Sequence, residues 1–435
     1  MRIPKFLPVA VILVLIGVLA LLSLPPPAMV PSPGSLDRSF NAPHGYVMST
    51  HAEGEKDRGV EIAVERDGSL IVLGYCNNTV NEDLMVARYT KDGALDPGFG
   101  DGGFSYYDGG DNDRGLGLAL QDDGKILATG FTRNGTHRDV LLIRYDLNGT
   151  LDATFGKSGV VTFSSPGSMT DIGFGIACEP DGGIFVVGET SNATHQDALV
   201  IHYTPGGVYD SRFAGTGLFT YGGSGMDRLF ACAIQPDGTV LATGSRVVGE
   251  RDDLLLLRLN HDGTLDRTFG IEGAVLYSGE GDNFDYGNWV VLQPDGRILV
   301  SGAASVGDAF DLLLLRYRTD GRPDPTFGTG GVVHLGDAGG RDEYGYAHAV
   351  QADGKIVVAG YAENETSDDV LVVRFLPDGT PDAAFGVGGQ ILWNGPGNHT
   401  DYGQGIALQA DGKIVVTGFS HHEASEDLLV MRLVP

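Results

Sequence analysis

An Asp-Gly turn recurs seven times along this chain at a nearly fixed interval, and no other feature limits its folding as strictly. The glycine of the turn falls at Gly68, Gly124, Gly182, Gly238, Gly296, Gly354 and Gly412, with successive gaps of 56 or 58 residues. The clearest copy runs from Ala410 to Leu433, ADGKIVVTGFSHHEASEDLLVMRL. The turn opens it, an apolar run from Ile414 to Phe419 follows, and after a polar loop Asp427 opens a second apolar run. Self-similarity of this kind marks an array whose units bury their faces against one another and fold as one body. The 435 residues therefore do not imply the two or three domains that length alone would suggest.

Each unit reads as four short strands. Strand a is small and apolar, as in Gly403 to Gln409. A hairpin through the Asp-Gly turn leads to strand b, as in Lys413 to Phe419. Strand c follows an Asp, as in Asp311 to Tyr317, and a turn through Leu265-Asp266-x-x-Phe269-Gly270 leads to strand d, as in Ala274 to Tyr277. No stretch of the array has helical periodicity long enough to compete. The array starts and stops out of phase with its units. It begins at Leu36-Asp37-Arg38-Ser39-Phe40, the lead-in to a strand d, and ends at Leu433, the end of a strand c. The two partial units make one complete unit, which an open stack does not need and a closed ring does. The expected fold class is all-β: a seven-bladed β-propeller of four-stranded blades over residues 36–435, with strand a lining the channel. The last blade would combine roughly His44 to Thr50 with Asp401 to Leu433.

The run DGKIVVTGFS…EDLLVMRL, together with LDxxFGxxG, resembles the delta-60 repeat family of exported bacterial and archaeal proteins, over essentially all of residues 36–435. The resemblance implies a propeller-like surface protein and brings no catalytic residues with it. Tyr209-Asp210-x-x-Phe213-Ala214 departs from the motif by lacking its Leu and its Gly, and Phe40 is followed by Asn41.

Ahead of the repeats, Arg2 and Lys5 precede an apolar run from Phe6 to Leu24. That run is long for a signal-peptide core and just enough to span a bilayer. Residues 1–24 are expected to be an uncleaved signal anchor and 25–35 a Pro-rich stalk, with a cleaved signal peptide as the alternative. Either way the propeller lies outside the cytoplasm, membrane-anchored or secreted. The net charge of −28 argues against nucleic acid and anionic lipid as partners. Of the 57 acidic residues 42 are Asp, most of them in recurring turn and strand-start slots where a short carboxylate bonds nearby backbone N–H groups. The acidity is thus largely a by-product of the repeat. Cys76, Cys178 and Cys232 are odd in number and form no C-x-x-C, so they read as small buried hydrophobes, not a disulfide framework or zinc site.

A residue present in every blade is expected to serve the fold, and a site is expected where one blade departs. Strand c opens with Asp83, Asp139, Asp197, Asp253, Asp311, Asp369 and Asp427, followed five residues on by Arg88, Arg144, His202, Arg258, Arg316, Arg374 and Arg432. These Asp are expected to cap backbone N–H groups at the strand start. A second acidic ring opens strand a: Asp57, Asp113, Asp171, Asp227, Asp285, Glu343 and Asp401. It is expected at the top mouth of the channel, the face that carries the d–a and b–c loops. Oxygen ligands there could hold a hard cation such as Ca²⁺, and turn-forming Asp explains the same pattern. No other cofactor is implied. Trp289 replaces a small residue in strand a, where it could stack on a ligand or fill the channel. Glu61 departs at the same position, and His348 in an aliphatic slot reads as a core histidine. His421, His422 and Glu423 share a top loop with no further ligand at metal-site spacing. Asn-x-Thr acceptor sequences occur at Asn77, Asn134, Asn148, Asn192, Asn364 and Asn398. Most fall in top-face loops, where glycans would leave the sector of blades 4 and 5 bare.

No G-x-S-x-G elbow, H-E-x-x-H or phosphate-binding glycine loop is present, and no catalytic residue is nominated. The expected function is that of a monomeric surface module binding an envelope or extracellular protein or glycan. Two rivals stand beside it. One is a hydrolase or lyase with its site at the channel mouth, which a unique cluster of His, Tyr, Glu and Arg on one top sector would favour. The other is a cation-stabilised envelope scaffold.

Overall fold

The computed structural model describes residues 31–50, 56–167, 169–192, 194–223, 225–279, 284–336, 340–422 and 425–435. The predicted membrane segment and most of the stalk lie outside these residues. Among the described residues no helix is long and apolar enough to cross a membrane.

The repeats form seven antiparallel four-stranded sheets. Blade 1 comprises strand a Asp57–Val64, b Leu70–Asn77, c Glu82–Tyr89 and d Phe104–Tyr107. Blade 2 starts at Asp113–Leu120, blade 3 at Asp171–Cys178, blade 4 at Asp227–Ile234, blade 5 at Asp285–Leu292 and blade 6 at Glu343–Val350. Blade 7 has strands a Asp401–Leu408, b Ile414–His422 and c Ser425–Leu433. Its outer strand is Tyr46–Ser49, paired antiparallel with Tyr46 opposite Met431 and Ser49 opposite Leu428. Strand a of every blade touches strand a of both neighbours, including blade 7 against blade 1. The sheets are therefore arranged round a ring.

This geometry explains the composition of each strand. Strands b and c are covered on both faces by neighbouring blades, so they are continuous apolar runs; Leu254 to Leu257 are all fully buried. Strand d is the outer edge and is half-buried, with Thr162 and Thr220 exposed in blades 2 and 3. Strand a must pass close to the next strand a. A Cβ on Gly117 would lie 2.7 Å from the Phe174 carbonyl oxygen, and one on Gly175 the same distance from that of Phe230. Only small residues fit there without displacement.

In blades 2, 4, 5 and 6 the Arg five residues beyond the strand-c Asp clamps the c–d turn of its own blade. Arg374 Nε donates to Asp382 Oδ2 at 2.9 Å, its guanidinium lying 4.5 Å from the Phe385 ring centroid. Arg144 with Asp152 and Phe155, Arg258 with Asp266 and Phe269, and Arg316 with Asp324 and Phe327 repeat this clamp. The Asp and Phe are those of the LDxxF motif, which is why motif and Arg recur together. Arg144 also donates to the Pro205 carbonyl and Arg316 to that of Pro377, each one blade further on. Blade 3 substitutes His202, stacked on Phe185 with ring centroids 4.1 Å apart.

Candidate functional site

The strand-c and strand-a carboxylates do not form two separate rings. Each strand-a acid sits in an inter-blade junction and feels the charge of the preceding blade's strand-c Asp, as Asp113 does that of Asp83, Asp171 that of Asp139 and Asp285 that of Asp253. Asp57, Asp113, Asp171, Asp227, Asp285 and Asp401 are at most 1% exposed; Glu343 is half-buried. Backbone capping is seen at this set. Asp113, Asp171, Asp227, Asp285 and Asp401 accept N–H groups of Gly109, Ser165, Gly223, Gly279 and Gly395. Among the strand-c Asp residues, Asp83 takes a side-chain donor from Asn78 and Asp197 one from Asn192; the strand N–H groups themselves are spent in the sheet. Burial raises the pKa of Asp113, Asp171, Asp227, Asp285 and Asp401, that of Asp113 to about 6, and the neighbouring strand-c Asp adds to the rise.

Trp289 is half-buried and packs against two core clusters, one including Val290 and Leu313, the other Ala347 and Val372, so it forms part of the wall. His348 is buried beside Ser301, its Nδ1 2.8 Å from the hydroxyl, and burial holds it neutral with a value near about 3. All three cysteines are free thiols; Cys76 is buried and the other two are half-buried. Four of the Asn-x-Thr sites are Asx turns: Asn77, Asn148, Asn192 and Asn364 accept the N–H two residues on through Oδ1. Asn398 accepts from Asn394 and donates to Thr366, while Asn134 is exposed at the end of a strand. His421 and His422 end strand b of blade 7; Glu423 lies outside the described residues.

Glu61 stands in the close ring of strands a where the other blades carry glycine or alanine, apart from Trp289 in blade 5. Its carboxylate accepts the Leu118 N–H at 2.5 Å, and burial lifts its value to about 8. The folded value exceeds the unfolded one, so the wild type loses stability as pH rises from about 4.5 through about 8. Water reaches the half-buried side chain, which limits the effect. Glu61→Gln is expected to be more stable than wild type by about 2 kcal/mol at pH 9 and to match it at pH 4, in urea unfolding at both values. Equal stability at pH 9 would reject the charge penalty.

One sector of the top face departs from the repeat more than any acid does. The second residue of strand a faces the sixth of strand b across each hairpin. The pairs are Arg58 with Tyr75, Arg114 with Phe131, Tyr344 with Tyr361 and Tyr402 with Phe419. Blade 3 has Ile172 with Glu189 and blade 4 has Arg228 with Ser245. From blade 6 to blade 2 the rings and guanidinium groups form a continuous ladder. Tyr361 lies 4.5 Å from Tyr402, Tyr402 4.9 Å from Phe419, Arg58 4.2 Å over Phe419, and Arg114 4.5 Å over Tyr75. Acids just ahead of the strand-c Asp hold the rungs: Tyr402 donates to Asp368 at 2.7 Å, Arg114 pairs with Glu82, and Arg58 pairs with Glu426.

Beside this ladder lies a cleft of about 440 Å³ lined by Arg58, Tyr346, Tyr402, Gln404, His421 and Glu426, among others. Burial and the Asp368 carboxylate push the Tyr402 hydroxyl far up, so it stays a proton donor. Burial opposes ionisation of Glu426, but Arg58 and Lys56 outweigh it and keep the carboxylate charged. The cleft thus offers aromatic faces, fixed donors and a fixed acceptor, with neither Tyr402 nor Glu426 poised to exchange a proton near neutrality. The sequence carried a signal for it, the change from Arg to Tyr at the second position of strand a. Attention to the acid one residue earlier passed over it.

Six segments, residues 65–99, 121–155, 235–269, 293–327, 351–385 and 409–435, match the family described as "Domain of unknown function (DUF5122) beta-propeller". No curated protein matches the sequence. Among solved structures, a protein of unknown function from Dyadobacter fermentans is 12% identical with a TM-score of 0.46, covering 90% of this chain and 98% of that one. The polysaccharide lyase Uly1 is 10% identical, with a TM-score of 0.49 and coverage of 92% and 96%. Sqt1 from Chaetomium thermophilum, bound to the N-terminus of ribosomal protein L10, is 13% identical, with a TM-score of 0.46 and coverage of 88% and 98%.

Proposed function

We propose that this β-propeller repeat protein is an exported interaction module, anchored through Phe6 to Leu24, that binds a glycan in the cleft beside blades 6, 7 and 1. The observation that carries this reading is the ladder from Tyr361 through Tyr402 and Phe419 to Arg58. Flat aromatic faces flanked by anchored polar groups suit a sugar ring, whose C–H face stacks while its hydroxyls take fixed partners. The sector is present once in the ring, so it is not required by the repeat.

A second reading rests on the residue types of the same cleft. Arg58, Tyr402, His421 and Glu426 share one mouth, the combination expected of a hydrolase or lyase site. The engagement of Glu426 by two cations and of Tyr402 by Asp368 favours binding over turnover.

One experiment separates the readings. The full-length protein is screened against envelope and matrix polysaccharides, and bound glycans are followed for chain cleavage. Binding without cleavage, weakened at least roughly tenfold in Tyr402→Ala, is the expected result. Cleavage abolished by His421→Ala would establish the enzyme. Unchanged binding in Tyr402→Ala would move the site elsewhere.

A further inference from the structure

We propose that Asn134 is a site of spontaneous covalent modification: the Gly135 backbone nitrogen displaces its side-chain amide, and the residue becomes aspartate or isoaspartate. The chain has three Asn-Gly pairs, Asn134-Gly135, Asn148-Gly149 and Asn394-Gly395. Glycine hinders such an attack least, because it carries no Cβ. The surroundings of the three pairs differ. The Gly149 N–H donates to the Asp146 carbonyl at 2.9 Å, while Asn148 Oδ1 accepts the Thr150 N–H and hydroxyl. The Gly395 N–H donates to the Asp401 carboxylate, and Asn394 Nδ2 donates to Asn398 Oδ1 at 2.6 Å. In both pairs the attacking nitrogen has its proton held and the target amide is tied in another direction. Among the described residues, neither the Gly135 N–H nor the Asn134 side chain makes a hydrogen bond. Asp-Gly pairs are open to the same ring closure, and the seven repeat turns are Asp-Gly. In each of these the glycine N–H donates to the carbonyl three residues back, as Gly68 does to Glu65 and Gly412 to Gln409.

Asn134 ends strand b of blade 2, Ile126–Asn134, opposite His137 at the start of strand c, His137–Tyr145, so Gly135 and Thr136 are the whole turn. Asn134, Gly135 and Thr136 are exposed, and a Cβ on Gly135 would meet nothing within 4 Å. The turn needs its glycine, whose φ is +67°. It does not need the asparagine, because blades 4 and 5 close the same hairpin with Val248-Gly249 and Val306-Gly307. Ring closure requires the Asn134 side chain to swing over the Gly135 nitrogen. That breaks the last rung, with His137, and no rung below it, and the end of an exposed hairpin opens at small cost without global unfolding.

The atoms balance without oxidation or reduction. The Gly135 nitrogen gives its proton to hydroxide and bonds to Asn134 Cγ, and Nδ2 leaves as ammonia. Water then adds to one of the two carbonyl carbons of the cyclic imide and breaks that carbon's bond to nitrogen. Addition at Cγ gives aspartate. Addition at the main-chain carbon gives isoaspartate, which lengthens the backbone by one carbon at the turn. Either product adds a negative charge and removes the acceptor amide of this Asn-x-Thr sequence.

The test incubates the full-length protein at mildly alkaline pH in water enriched in heavy oxygen, one sample folded and one unfolded in urea. Peptide mapping by mass spectrometry then follows the three Asn-Gly pairs. In the folded protein the peptide with Asn134 is expected to exchange its amide nitrogen for one labelled oxygen at least roughly tenfold faster than those with Asn148 and Asn394. In urea the three should react at similar rates, which assigns the difference to the fold. Survival of Asn134 in the folded protein over the time that converts it in urea overturns the proposal. So does equal conversion of all three pairs in the folded protein.

Discussion

Asp37→Ala is expected to lower the unfolding free energy by about 3 kcal/mol at pH 7, a fall of about 4 °C in the thermal midpoint of a cooperative body this size. Asp37 is the acid of the blade-7 clamp, and it reaches its arginine across almost the whole chain. Its Oδ2 accepts from Arg432 Nε at 2.9 Å and lies 3.2 Å from Lys413 Nζ, while Ser39 donates to Oδ1 at 2.7 Å. Arg432 is 3% exposed, stacks 4.8 Å over Phe40 and donates to the Lys91 carbonyl of blade 1. Removing the acid leaves a buried guanidinium without its counter-charge, which costs far more than losing a surface pair. Asp122→Ala provides the comparison. Its partner is Arg66, and the two side chains are 84% and 82% exposed, so a change within about 0.5 kcal/mol is expected.

The pH dependence gives a second check. Burial opposes ionisation of Asp37, but Ser39, Lys413 and Arg432 outweigh it and hold the value down to about 2. The folded value lies below the unfolded one, so the stabilisation is complete above about pH 4 and is lost as pH falls through about 2. The gap between wild type and Asp37→Ala should therefore narrow below pH 4. Equal midpoints for Asp37→Ala and Asp122→Ala at pH 7 would mean that the clamp contributes nothing to joining the ends.

Legibility of this structure in its sequence follows the range of each interaction. Local features stand where the repeat puts them: strand d at Ala274–Tyr277 has the expected bounds, and Asp411 of the Asp-Gly turn accepts the Lys413 N–H. Strand b of blade 7 runs past Phe419 to His422, because the b–c hairpin keeps pairing through His421 opposite Glu426 and His422 opposite Ser425. Contacts between blades were not legible. Asp83 and Asp113 lie in different repeats, and phase places both near the top without saying that they face each other. The ladder was hidden for the same reason, since Tyr402 stacks on Tyr361 of the previous blade and Arg58 on Phe419 across the joint between blades 7 and 1. The Arg with the LDxxF motif was visible as a pattern. Its meaning appears only when Arg374 is seen to clasp Asp382 and Phe385 together.

Gly188→Ala is expected to cost at least about 3 kcal/mol, or to prevent folding, although alanine is a small and strand-compatible residue. The reason is a bulge in strand a. Between Gly173 and Gly175 the register slips by one residue, and the same slip recurs at this point in every blade. The bulge presses a carbonyl onto strand b, so a Cβ on Gly188 would lie 1.8 Å from the Ile172 oxygen and 3.1 Å from the Gly173 Cα. Ordinary contact needs roughly twice the first distance, so one strand would have to move by more than an ångström. Strand a cannot yield, because Gly175 is already in close approach to Phe230 and Ala231 of the next blade. Strand b cannot yield either, because Phe185, Val186 and Val187 are buried on both sides. Gly206→Ala isolates the effect. Gly206 is exposed, a Cβ there meets nothing within 4 Å, and its φ is not positive. That substitution should be neutral or stabilising by about 0.5 kcal/mol through the unfolded chain. Thermal midpoints of the two variants decide the matter: if Gly188→Ala unfolds alongside Gly206→Ala, the bulge is soft, and the glycine recurring in every strand b has another cause.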